Sequence, residues 1–123
     1  MYNFPKNTRL TNKKSINNLF KSGNRLSEAP FLVFWNYSHL HDEKIKVLIT
    51  VSKKIFKLAV DRNLIKRRIR ESFRTQQNEL VTILSQKNKS INVAILYNDP
   101  SLLKFNNVEK KIKLTLNRLI NQL

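Results

Sequence analysis

The stretch "AVDRNLIKRRIRESFR", Ala59–Arg74, decides how this chain is read. It contains no glycine or proline, and Ile65, Ile69 and Phe73 recur every four residues, the spacing that lines one side of an α-helix. At roughly 100° per residue, Lys66, Arg70, Arg74, Asn63 and Arg67 fall on the neighbouring arc. A helix from Arg62 to Gln76 therefore has an apolar flank and a cationic flank, with Asp61 placed to cap its first turn. Five of the eight arginines (Arg62, Arg67, Arg68, Arg70, Arg74) lie here, against only two acids, Asp61 and Glu71. Guanidinium groups at repeated spacing on a rigid rod suit the phosphates of a nucleic-acid strand, which they grip with paired hydrogen bonds. The plainer reading is a solvated charged face, and the scarcity of acids argues against it.

Outward from this helix, Lys44–Ser52 alternates around Ile45, Val47, Ile49 and Val51, and Phe31–Tyr37 is dense in aromatic and β-branched residues. These read as two strands joined by the polar turn Ser38–Glu43. Between Thr11 and Lys21, Ile16, Leu19 and Phe20 keep helical spacing, with Thr11 or Asn12 as cap and Gly23 as stop. Downstream, any continuation of the basic helix through Leu80–Leu84 gives way to the polar stretch Ser85–Ser90. A short apolar strand, Ile91–Tyr97, follows. Asn106 with Glu109 then resembles a capping box before Val108, Ile112, Leu116, Leu119 and Ile120. The expected class is a small α+β domain with helices against one mostly antiparallel sheet.

The whole chain of 123 residues supports one such domain, and 41% hydrophobic content with seven Phe, three Tyr and one Trp suffices for a core. No cysteine is present, which excludes a disulfide framework, a thiolate zinc site and a cysteine nucleophile. Met1–Leu10 is polar and basic, and no run approaches the roughly 18 apolar residues of a membrane span. A cytoplasmic location without membrane association is the expectation. The formal charge of +16 makes nucleic acid the leading partner. Lysine excess could also reflect base composition, but uniform drift would not gather arginines into one segment.

These residues resemble the signature of the bacterial ribonuclease P protein family. That signature is a strand ending in VSKK (here Val51–Lys54), a short connection, and a helix opening R-N-x-x-K-R with a later R-E. The helix positions are here Arg62, Asn63, Lys66, Arg67, Arg70 and Glu71. The resemblance extends weakly through Phe4, Pro5, Arg9, Leu10, Phe20 and Phe31, and into the residues after the helix. It implies the order α-β-β-β-α-β-α, with a left-handed crossover at the basic helix, against the usual rule. It also implies a protein that assists a catalytic RNA in removing the 5′ leader of precursor tRNA, one protein per RNA, with magnesium held mainly by the RNA. By position, Arg62, Asn63, Lys66, Arg67, Arg70 and Arg74, flanked by Lys53 and Lys54, become contacts to the RNA subunit. Phe20, Phe34 and Ile16 become the leader-binding cleft. Ile16 stands where many relatives carry an aromatic, and Leu64 where the motif often has a third arginine. Leu48 and the connection Phe56–Leu58 replace positions where many members carry glycine.

Phe20 is open to both core packing and leader contact, while Phe34 differs in strand parity from Phe31 and Trp35. No protein active site assembles: His39 and His41 sit in a turn, and the eight carboxylates are scattered. A ribosomal or other RNA-binding protein is the rival reading. A DNA-binding protein ranks lower, because no short helix and turn precede the basic helix.

Overall fold

The computed structural model describes residues 9–38 and 43–123, so Phe4, Pro5, His39 and His41 lie outside the described residues. Helix α1 (Lys13–Ser22) starts at Asn12, whose Oδ1 accepts from the Ser15 amide at 3.0 Å. It stops at Gly23, where an added Cβ would collide with the Leu19 carbonyl oxygen. Close approach, not a left-handed φ, is what requires glycine there. Strands β1 (Asn24–Glu28), β2 (Phe31–Ser38) and β3 (Ile45–Val51) follow, then α2 (Ala59–Gln76), α3 (Asn78–Lys87), β4 (Ser90–Tyr97) and α4 (Phe105–Gln122).

The sheet runs β1-β2-β4-β3. Its β1–β2 and β2–β4 pairs are antiparallel, whereas β3 and β4 are parallel. The α+β expectation holds, with a mixed sheet and one helix more than expected. The parallel pair obliges the chain to return across the sheet between β3 and β4, and α2 and α3 make that return. Residues with one pleat parity (Phe31, Val33, Trp35; Ile45, Val47, Val51; Ile91, Val93, Ile95, Tyr97) face α2, α3 and α4 in the main core. Each such side chain contributes about 1.5–3 kcal/mol on burial. The opposite face carries α1 over Ala94, with Leu10 and Leu19 beside it. β4 is sandwiched by helices on both faces, which is why its residues 93–97 read as a continuous apolar run.

Three local expectations are corrected. Helix α2 opens at Ala59, with Leu58 as N-cap and no side-chain cap bond, so Asp61 lies inside the first turn. There its charge complements the positive helix end without capping it. Helix α4 opens at Phe105 with Lys104 at the cap, so the Asn106–Glu109 box does not form. Leu80–Leu84 belongs to a separate helix, α3, set off from α2 at Gln77 and closed by Asn88 in the left-handed region.

Candidate RNA interface

The entry to α2 is organised by Ser52 and by one of the helix's own arginines. The Ser52 carbonyl accepts from the amides of Ile55 (3.2 Å) and Phe56 (3.0 Å), and its Oγ accepts from the Lys54 amide (3.1 Å). This tight turn leaves Lys53 and Lys54 exposed. Arg62 Nη1 then donates to the carbonyls of Phe56 (2.8 Å) and Lys57 (3.0 Å), tying the connection to the helix.

Along α2, Ile65, Ile69 and Phe73 are fully buried, as the four-residue spacing demands. On the neighbouring arc Asn63 and Arg67 are exposed, and Lys66, Arg70 and Arg74 are half-buried. Among the described residues, no carboxylate lies within ion-pair distance of Lys66, Arg67 or Arg70. Arg74 differs, because its Nη2 and Nε donate to Glu71 Oε1 (2.7 Å) and Oε2 (3.2 Å). Arg68 turns away from this arc and donates to the Leu103 carbonyl, fastening α2 to the segment before α4.

The N-terminal segment adds a cation to the same flank. Arg9 bridges Val47 in parallel, and the Leu10 amide donates to the Val47 carbonyl at 3.0 Å. Arg9 and Arg70 thereby share a groove with Val47, Leu48 and Ile49 at the β3 edge. Burial, then repulsion from Arg9 and Arg67, holds Arg70 below the ordinary arginine pKa. Arginine stays protonated at neutral pH, so Arg70 is repelled by the guanidinium groups of both Arg9 and Arg67 here. An anion among them relieves that repulsion.

A second arrangement occupies the opposite face of the sheet. Ile16, Phe34, Leu48 and Leu96 line the seam beneath α1, each partly buried. The Phe20 ring meets Phe34 edge-on, with centroids 5.1 Å apart, and Arg25 lies 5.8 Å from the Phe34 centroid. Phe20 remains 38% exposed, whereas Phe31 and Trp35 are buried on the core side. Strand parity separates these rings as expected. The result is an aromatic ledge with a guanidinium at its rim.

The family model described as Ribonuclease P matches residues 4–120. The chain belongs to the ribonuclease P protein family. Members of this family are subunits of an RNA-catalysed ribonucleoprotein endoribonuclease. The chain is 36% identical over 77 residues to the ribonuclease P protein component of Chlorobaculum tepidum, covering 59% of this chain and 50% of that protein. It is 28% identical over 119 residues to the component of Porphyromonas gingivalis, covering 96% of this chain and 87% of that protein. The fold matches that of the Staphylococcus aureus RNase P protein with a TM-score of 0.76 at 22% identity, over 93% of this chain and 96% of that one. The Thermotoga maritima RNase P protein gives 0.68 at 23% identity, over 89% of this chain and 96% of that one.

Within this chain, the motif residues Asn63, Lys66, Arg67 and Arg70 form one continuous flank, and Arg74 extends it with its charge shared by Glu71. Lys53 and Lys54 lie at the helix entry, and Arg62 is partly committed to the loop. Phe20, Phe34 and Ile16 are brought together as a separate group. Two cations were missed as site candidates. Arg9 lies in an extended segment with no periodicity, so only its bridge to β3 places it beside Arg70. Arg25 is legible only through the β1–β2 register, which sets it opposite Phe34.

Proposed function

We propose that this chain grips the catalytic RNA of ribonuclease P with the cationic flank of α2, and receives the single-stranded 5′ leader of precursor tRNA on the ledge beneath α1. The observation that carries this reading is the pair Arg67 and Arg70, held on a helix whose other flank is locked into the core, with Arg9 brought beside Arg70 by its bridge to β3. Guanidinium groups crowded about Arg70 on a helix anchored in the core favour a folded polyanion. On the ledge, Phe20 offers a ring edge and face to an unpaired base, a contribution of about 1–3 kcal/mol per stacked base. Lys53 and Lys54 add counter-charge where the sheet meets α2.

In this reading the protein positions two polyanions against each other and lowers their repulsion, while the RNA performs the hydrolysis. Magnesium is assigned to RNA phosphates. Among the described residues no three metal-ligating side chains converge, and no step here runs through a protein-bound ion. The work would be cytoplasmic, with one protein per RNA.

The test is reconstitution. Added to protein-free ribonuclease P RNA at low magnesium, the purified chain is expected to restore cleavage of precursor tRNA at the mature 5′ end. Binding of RNA without any gain in cleavage would favour a general RNA-binding protein and overturn the assignment.

A further inference from the structure

The cationic flank of α2 does not begin with a cation. Continuing its helical spacing toward the N-terminus, from Arg74 through Arg70, Arg67 and Asn63, the next position is Val60. Val60 is 75% exposed, and Leu58, the N-cap, is 66% exposed. They are the two most exposed large apolar side chains among the described residues. Neither has a reason to be apolar that the fold supplies. The Leu58 side chain makes no cap hydrogen bond, and a serine or asparagine there would hold the helix start better. Exposed Lys53, Lys54 and Lys57 lie in the connection that leads into these two residues, and Asp61 is the single acid in the segment between Ser52 and Arg70.

We infer that Leu58 and Val60 form an apolar contact that seats against a base or ribose of the same folded RNA that the arginines grip. This deepens the reading above and rests on it. The occupant follows from charge: apolar side chains beside a lysine-rich connection, continuous with a flank on which Lys66, Arg67 and Arg70 have no carboxylate within ion-pair distance among the described residues, complement a surface with phosphates around exposed sugars and base edges. The wide, shallow minor groove and the splayed loops of folded RNA are such surfaces. An acidic protein would be the alternative occupant, and the test separates the two.

Leu58→Ser and Val60→Ser are compared with wild type for binding to the transcribed ribonuclease P RNA across a salt series, alongside thermal unfolding. An apolar contact neutralises no phosphate, so its loss lowers affinity without changing the salt slope. The double variant is expected to bind about tenfold more weakly, with the slope of log affinity against log salt unchanged. Leu58→Ser alone is expected to raise the unfolding midpoint by a few degrees, because serine supplies the missing cap. Weaker binding by a more stable protein cannot come from damage to the fold. Unchanged RNA affinity in the double variant would overturn the inference and point to a protein occupant. Failure of wild type to bind this RNA would instead overturn the function on which it rests.

Discussion

Ser72 is fully buried on the packed flank of α2, and its Oγ has no hydrogen-bond partner among the described residues. A buried hydroxyl without a partner carries its desolvation cost uncompensated. Ser72→Ala is therefore expected to stabilise the domain by about 1 kcal/mol, read as a higher urea midpoint with an unchanged m-value. A loss of stability would mean that the hydroxyl is satisfied in solution. The arginines divide their work in a comparable way. Arg68 and Arg62 spend donors on main-chain carbonyls, and Arg74 spends its fork on Glu71, whereas Arg67 has no carboxylate within reach among the described residues. Side chains of one type in one helix thus serve loop closure, helix anchoring and ligand capture, and the motif spacing alone does not sort them.

Helix α2 works as an element because its two flanks have opposite tasks. Ile69→Asp places an unpaired carboxylate in the core and is expected to cost about 4 kcal/mol or more, enough to unfold a domain of ordinary stability. Loss of the cooperative thermal transition would register it; a folded variant would mean that the buried flank has been misassigned. The helix was legible because two signals coincide there, a four-residue apolar period and an uncompensated basic run. Its start was not, since Leu58 and Ala59 carry no capping signal and the loop is held instead by the Arg62 guanidinium on the carbonyls of Phe56 and Lys57. β1 was equally hidden: in Asn24–Glu28 only Leu26 reaches the core, and the strand exists through its pairing with β2. α3 was blurred into α2 because Gln77, where the two helices part, is neither glycine nor proline. Of the site, the motif cations could be read from spacing and the separation of Phe34 from Phe31 and Trp35 from strand parity, whereas the grouping of Phe20 with Phe34 was implied by the family resemblance. Arg9 and Arg25 needed tertiary register.

The molecule as a whole carries +16 on one small domain. Its salt bridges among the described residues, Arg74–Glu71 and Arg118–Glu28, offset little of that charge. Salt should therefore act in opposite directions on its two equilibria, screening self-repulsion in the free protein and competing with it for RNA phosphates. The most direct measurement is the affinity for ribonuclease P RNA as a function of salt, for wild type and for the combined Arg67→Ala and Arg70→Ala variant. The expected result is a steep negative slope for wild type, and for the variant a slope shallower by about 0.7 for each lost phosphate contact. The fold should be unchanged within about 0.5 kcal/mol, since neither side chain lies on the packed flank. A flat response in wild type, or identical slopes in the two proteins, would contradict the claim that this flank of α2 holds the RNA.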